Sequence, residues 1–518
     1  MRSLGGFFLV LCLALPAVAQ TAGTLRIAVP SLPTVFDPHK AASPLDIAVA
    51  NELFMGLVTR GADGELVPGI ASSWDISADG LAYTFSLRSD AKWSDGRRVT
   101  AGDFVAGFER ALDPRTAAPY AGDLLMIEGA EDVLAGRRAP RNLNVSSSFF
   151  GKLRLNLVRP SANFLEILAR PIAAPVPRHV LGGETALWEV PESAVNSGAF
   201  MVTNTGTGLS LVRNPHFFER HSNEIERIDF VLAESADVAN GFVENGLANL
   251  TLGFSFVMRS SSESRFLRAD GGRALYFVAV NVRRPVLAVR EVRHALAMSL
   301  DRESLLRNIE VSGAVAAYKI VPPDILDEVL SPPASYARLP AEMRGPIAEV
   351  LLAESQIGPS APYMIRLIYP LGEVHDSIAR HITTVWAPLG IQVVATGLPQ
   401  SEYDQALSAG EFDAALASGR RGGTSPMTYM MPLTQSAGSL NITGYDEPDF
   451  DMRLIAADTE PDGASRQTRF AEAENVLIQD QVILPVFFYT PRHAVADIVQ
   501  GWIANTHGVH PLRYLSSR

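Results

Sequence analysis

Apolar and polar residues alternate in short runs along most of this chain, and between the runs apolar positions recur every three to four residues. Thr24-Leu25-Arg26-Ile27-Ala28-Val29-Pro30 alternates and predicts a strand. A helix is expected over 44–57, with Ser43 placed to cap its first turn. The alternating Tyr83-Thr84-Phe85-Ser86-Leu87-Arg88 predicts a second strand, and Thr100-Ala101-Gly102-Asp103 leads into a helix that stops before Asp113-Pro114. Short strands follow at 153–158, 200–203, 209–213, 228–232 and 274–280. Val292, Leu296 and Leu300 then share a helix face, and Asp301 opens another helix through Leu305, Leu306 and Ile309. The last third repeats the logic: strand 363–369, helix 374–388, strand 391–396, helix 401–407, strand 412–417, helix 470–478 and strand 484–489. Strands that alternate with helices predict an α/β protein with a partly parallel, helix-covered sheet.

The first twenty residues follow a different pattern. Arg2, an apolar stretch over 7–15, Pro16 and the small-residue site Ala17-Val18-Ala19 before Gln20 predict a cleaved signal peptide spanning 1–19. Cys12, the only cysteine, lies inside the apolar stretch behind Leu11 rather than at a lipid-attachment position. The exported chain therefore carries no thiol and no disulfide. No later run is long and apolar enough to enter a bilayer, so no stable membrane insertion is expected. The formal charge of −12 is spread among interspersed acids and bases, with no Lys/Arg tract to grip phosphates, which argues against a nucleic-acid partner.

Catalytic signatures are not found: no Gly-x-Ser-x-Gly elbow, no His-Glu-x-x-His, no Walker loop and no dinucleotide fingerprint. Gly206-Thr207-Gly208 reads as a hairpin turn. The ten histidines lack metal spacing; His375 and His381 lie six apart and do not share a helix face. Asp37-Pro38-His39 reads as a turn after a strand rather than as a metal corner. A dispersed triad would leave no local signature, so this lowers the prior of an enzyme without excluding one.

Three stretches carry a resemblance. The first is Phe36-Asp37-Pro38-His39-Lys40 followed by Glu52-Leu53-Phe54-Met55-Gly56-Leu57. The second runs from Val67-Pro68-Gly69 through Trp74, Tyr83-Thr84-Phe85 and Lys92-Trp93-Ser94-Asp95-Gly96 to Thr100-Ala101-Gly102-Asp103-Phe104, and the third from Val292-Arg293-His294-Ala295-Leu296 to Asp301-Arg302. In these the chain resembles the extracytoplasmic solute-binding proteins of ABC importers, in the oligopeptide/dipeptide/nickel class (solute-binding protein family 5). Trp74, Trp93 and Phe104 are expected as core of a small domain rather than as ligand contacts.

The resemblance implies a two-lobed periplasmic-binding-protein fold (type II, cluster C) with an additional inserted domain. Lobe I would be discontinuous, 20–55 with 181–274 and 489–518; the inserted domain would span 56–180 and lobe III 275–488. It further implies a periplasmic monomer that captures a peptide or peptide-like ligand, needs no cofactor or metal, and delivers its cargo to the permease subunits of an importer. An opine, a sugar derivative or a nickel chelate would be an alternative cargo on the same fold. A secreted hydrolase or a periplasmic chaperone is the reading from other classes.

Carried over residue by residue, the resemblance places Ala42, Ser43 and Pro44 where backbone meets the ligand, although a plain connector would look the same and Pro44 lacks a donor. Tyr120, in Ala118-Pro119-Tyr120, would reach across from the inserted domain, or serve as a core aromatic. His375 would line the pocket, or lie exposed on its helix. The segment Ser418-Gly419-Arg420-Arg421-Gly422 matches a loop whose aspartate pairs with a peptide's α-amino group, and here Gly422 stands at that place beside two arginines. A cation is unsuited to an amine. Arg420 or Arg421 would instead take a carboxylate or phosphate, consistent with an anionic or N-blocked ligand, or both would point to solvent.

Overall fold

The first alternating run forms the strand Thr24–Val29, whose Leu25, Ile27, Ala28 and Val29 are fully buried. It pairs in parallel with Arg227–Leu232 on one side and Leu250–Thr251 on the other, which explains why both of its faces are apolar. Gly208–Arg213 and Phe200–Thr205 extend this five-stranded sheet as an antiparallel hairpin. The computed structural model describes residues 23–148, 151–180, 194–205, 208–220, 224–254, 264–309, 311, 313–419 and 425–517. The expected signal peptide, the Gly206-Thr207 turn, and Arg420, Arg421 and Gly422 lie outside the described residues.

A second, antiparallel sheet runs Ala71–Ile76, Ala82–Leu87, Lys152–Asn156, Val145–Ser147. The helix Ala101–Leu112 lies over it and buries Phe104, Phe108, Ala111 and Leu112, the i, i+4, i+7, i+8 stripe of an amphipathic helix. Its start is fixed by Asp103, whose carboxylate accepts from the Thr100 N–H and hydroxyl, both at 2.8 Å. Trp93 and Phe104 are wholly buried here, while Trp74 is half-buried at the edge.

The third sheet has six strands in the order Val315–Ala316, Ile483–Tyr489, Ala274–Val280, Ala414–Ser418, Tyr363–Pro370, Ile391–Leu398. Tyr363–Pro370 is parallel to both neighbours, whereas Ala274–Val280 is antiparallel to both, so the sheet is mixed as the alternation implied.

One apolar core, containing Val29, Leu53, Phe104, Phe164 and Leu211, is continuous across the first two sheets. Val278, Leu296, Trp386 and Phe487 belong to a separate core around the third. The first two sheets thus form one packed body and the third another. The chain crosses between the bodies through Leu267–Ala269 and Arg492–Ala494, which pair antiparallel, and the Asp270 N–H donates to the Pro491 carbonyl at 3.0 Å.

Most boundaries shift by a residue or two, and two helices differ by more. The helix expected over 44–57 is Pro44–Leu53, because Phe54 turns extended and Val58–Arg60 leaves to pair with Leu66–Pro68. The last long helix is Gly463–Asp480 rather than 470–478, since its apolar spacing marks only the buried stretch and its exposed first turns are capped by Asp462. Ala341–Glu354 and Pro448–Thr459 are helices that apolar spacing did not reveal.

Candidate functional site

The two bodies enclose a cavity of about 430 Å³. The carboxyl ends of the parallel strands Tyr363–Pro370 and Ala414–Ser418 open onto it through Pro370, Ser418 and Gly419, the usual place for a ligand in an α/β sheet. The helix Gln400–Ala409 turns one face to it: Gln400, Tyr403, Asp404 and Leu407 fall at i, i+3, i+4 and i+7. From the other body come Ala42, Pro44, Ile47, Ala48 and Asn51 at the start of the helix Pro44–Leu53, Tyr120, and the segment from His507 to Arg513.

Of the ten residues expected from the sequence, Ala42, Pro44, Tyr120, His375, Ser418 and Gly419 line this cavity together. The Tyr120 hydroxyl donates to the Ala42 carbonyl at 3.5 Å, which joins two of them. Ser43 is not on the wall; its hydroxyl accepts from the Asp46 N–H at 3.1 Å and donates to the Asp46 carboxylate at 2.6 Å, which is the work of an N-cap. Arg420, Arg421 and Gly422 are outside the described residues, but Gly419 delivers the chain to them from the cavity wall, its N–H bonded to the Leu275 carbonyl at 2.6 Å.

His375 is buried rather than exposed on its helix. The Tyr276 hydroxyl lies 2.6 Å from its Nδ1, and the two rings stack 5.7 Å apart with Tyr276 stacked in turn on Phe487. Burial pushes its pKa down to about 4, so at neutral pH it presents a neutral, polar surface.

Most charges on the wall are balanced from within the protein. Arg170 meets Asp123 at 2.6 Å, Arg60 pairs with Glu166, and Arg513 lies 4.0 Å from Glu52. Burial raises the Glu52 pKa against the opposing pull of Arg513, and Glu52 Oε1 accepts from the Leu512 N–H at 2.6 Å. Asp404 is different: burial lifts its pKa to about 6, the Asp46 charge adds to the rise, and a bond from Gln400 Nε2 at 2.9 Å opposes it.

A larger space of about 870 Å³ adjoins this cavity and shares Ile47, Asn51, Arg60, Asp123, Arg170 and His507 with it. Beyond the shared wall its lining is richly charged, with Glu131, Asp132, Arg159, Asp451 and Arg466 among others. The bodies touch around it. Asn163 Nδ2 donates to Asp458 at 2.7 Å, and Gly122 lies so close to the Ser436 backbone that a Cβ would overlap that carbonyl oxygen.

At the crossing strands, Asp270, His493 and His510 bring their ligand-type atoms within 4.8 Å of one another. His510 Nε2 is 2.8 Å and His493 Nε2 3.3 Å from the Asp270 carboxylate; burial pushes that carboxyl up, but the two histidines outweigh it and hold it well below the usual range. Asn505 Nδ2 approaches His510 Nδ1 at 3.4 Å, which leaves Nε2–H as the donor to Asp270, a hydrogen-bonded cluster beside the crossing strands. Sequence spacing could not reveal this group, because Asp270 stands more than two hundred positions from both histidines.

Asp37 and His39 anchor rather than bind. Arg110 forks onto Asp37 at 2.5 and 2.9 Å and reaches His39 Nδ1 at 3.0 Å, while His39 Nε2 lies 3.2 Å from the Ala174 carbonyl. Burial, with Arg110 adding to it, pushes the His39 pKa down to about 4. The unfolded chain takes up this proton near pH 6.5 and the folded one only near 4, so stability present above pH 6.5 is lost as pH falls toward 4. Between pH 7 and 5 urea unfolding should lose on the order of 1–2 kcal/mol at this site. His39→Gln should show a smaller drop over that interval; an equal drop would contradict the assignment.

Comparison with known proteins agrees with this geometry. The family model for bacterial extracellular solute-binding proteins, family 5 Middle, matches residues 65–441. The periplasmic oligopeptide-binding protein OppA of Escherichia coli is 28% identical over 487 residues, covering 92% of this chain and 88% of that protein. The periplasmic murein peptide-binding protein MppA of the same organism is 28% identical over 486 residues, 91% of this chain and 89% of its own length. A solved structure of MppA, the murein tripeptide binding protein, superposes with a TM-score of 0.87 at 27% identity, covering 95% of this chain and 98% of that one. The unliganded open form of MppA, at the same identity and covering 96% and 98%, gives only 0.64. The sequence relation being equal, the difference is one of conformation: the two bodies here do not stand as they do in that open form.

Proposed function

The chain belongs to the family 5 bacterial extracellular solute-binding proteins, and from that membership we propose that it captures a peptide or peptide-like solute between its two bodies and hands it to an importer. The observation that carries this reading is the cavity between separately packed cores joined by two paired crossing strands, which is how a hinge encloses a ligand. Relatives named for oligopeptides and murein peptides support the class of cargo. The cavity lies at strand ends, where Pro370, Ser418 and Gly419 meet it, a setting in which main-chain groups can recognise a peptide whatever its side chains.

The lobes are proposed as 20–55 with 181–274 and 489–518, 56–180, and 275–488, a division the three sheets support. No helix among the described residues is long and apolar enough to cross a membrane. In this reading the segment 1–19 is removed on export, a monomer works in the periplasm, and its closed form docks on permease subunits. Arg420 or Arg421 is proposed to face a ligand carboxylate or phosphate. The cargo leaves unchanged, so peptides incubated with the protein should be recovered intact.

Thermal unfolding of the purified chain against di- to pentapeptides tests the proposal. A binder present at a hundredfold excess over its Kd should add about 2.7 kcal/mol, seen as a higher midpoint. If no peptide raises the midpoint of ligand-free protein, peptide capture is refuted.

A further inference from the structure

The charges lining the smaller cavity are not all paired with one another. Arg60, Arg170 and Arg513 each face a carboxylate supplied by the protein, and His510 leans on Asp270. Among the described residues, Asp404 makes no ion pair, and the charge that acts on it is the like-signed Asp46 of the helix Pro44–Leu53. Gln400 Nε2 engages Oδ1 at 2.9 Å and so fixes the rotation of the carboxylate, while no hydrogen bond from the described residues engages Oδ2.

The two acids belong to opposite bodies: Asp404 to the third sheet's, Asp46 to the other. Closing the cleft therefore withdraws Asp404 from water and brings a like charge toward it, two costs with the same sign. A cation placed against Asp404 offsets both, and it does so only when the bodies close. No side chain among the described residues supplies that cation; a ligand that enters the cavity with a positive end would.

We infer that Asp404 receives an ammonium group of the bound ligand and thereby makes closure selective for a cargo with a positive end. The inference rests on the peptide-binding reading above and deepens it. It moves the amine to the helix Gln400–Ala409, away from the loop where Gly422 stands, and it sets a free amine against the N-blocked cargo that the loop alone suggested. An α-ammonium and a lysine ε-ammonium share the chemistry.

Calorimetry with ligand-free protein separates the cases. The probes are alanine peptides of three to five residues with a free amine, the same peptides N-acetylated, and N-acetylated versions in which the first residue is lysine. Wild-type protein should bind the free amines roughly 10- to 100-fold tighter than the acetylated alanine peptides, the range for a hydrogen bond to a charged group. Asp404→Asn, which keeps the Gln400 bond and removes both costs of closure, should bind free and acetylated peptides alike, no more weakly than wild type binds the acetylated ones and with an unfolding midpoint no lower than wild type. Recovery of tight binding by the acetylated lysine peptides, lost again in Asp404→Asn, would assign the side-chain amine as the source. Equal wild-type affinity for free and acetylated alanine peptides, or full discrimination retained by Asp404→Asn, would overturn the inference and leave peptide binding standing. Failure of wild-type protein to bind any of the probes would overturn the peptide reading and this inference with it.

Discussion

Gly122→Val should lower affinity for every ligand by roughly a hundredfold or more while leaving both bodies folded. Gly122 sits in the short helical turn Ala121–Leu124, on the body that carries Tyr120, and its Cα faces the Ser436 carbonyl of the other body. A hydrogen is all the space admits; the first carbon of any side chain would overlap a backbone oxygen, which cannot rotate away. Valine therefore acts on the closed form alone, and the open form, where the bodies stand apart, has room for it. A closed population cut to about one part in a hundred weakens apparent affinity by that factor, because only the closed form surrounds the ligand. Scattering should show no compaction when ligand is added, and the unfolding midpoint of the ligand-free variant should match wild type. Gly122→Ala should move the same way by less. Wild-type affinity in Gly122→Val would mean that the contact between Gly122 and Ser436 is not part of the bound state.

Lys319→Met should be the most destabilising of the substitutions considered. Lys319 Nζ donates to the Leu326 and Ser331 carbonyls at 2.8 and 2.9 Å and lies 3.4 Å from Glu474, with both side chains almost wholly buried. Glu474 accepts in turn from the Ile320 and Val321 N–H groups at 2.8 and 2.7 Å and from the Ser331 hydroxyl at 2.5 Å. Burial already raises the Glu474 pKa, opposed first by the attraction of Lys319 and then by the bonds from Ser331, Val321 and Ile320. Removing the lysine strands a buried carboxylate, which costs about 3–5 kcal/mol. The sign with pH follows: the carboxyl's folded pKa rises further above its unfolded value, so the variant recovers stability as pH falls and the acid takes a proton. Urea unfolding at pH 7 should show the loss, and at pH 5 a smaller one. Lys319→Met with Glu474→Gln should be less destabilised at pH 7 than Lys319→Met alone; an equal or greater loss would show that the charge is not the cause.

Much of the fold was legible because its signals are local. Ala274–Val280 was read to the residue, since a run buried on both faces and flanked by polar groups has few other solutions. The helix at Pro44 was read too long because Phe54, Met55 and Leu57 continue the apolar pattern while packing as extended chain. Six residues that the motifs singled out, Ala42, Pro44, Tyr120, His375, Ser418 and Gly419, line one cavity. Ser43 caps the helix as its place before Pro44 predicts, with its hydroxyl engaged by Asp46. Asp404 carried a faint signal, its place on one helix face with Gln400, Tyr403 and Leu407, but nothing local says that this face looks into a cleft. The Asp270–His493–His510 group and the contact between Gly122 and Ser436 had none, because each joins residues hundreds of positions apart that only the folded chain brings together.

Native mass spectrometry of the purified, exported chain, followed by denaturation and sequencing of whatever is released, tests capture in the cleft most directly. The expected result is a mass excess that disappears on unfolding and fragments as short peptides or peptide-like molecules bearing a free amine. A released species without amide bonds would contradict peptide capture, and so would an empty protein that then binds no peptide from a defined mixture.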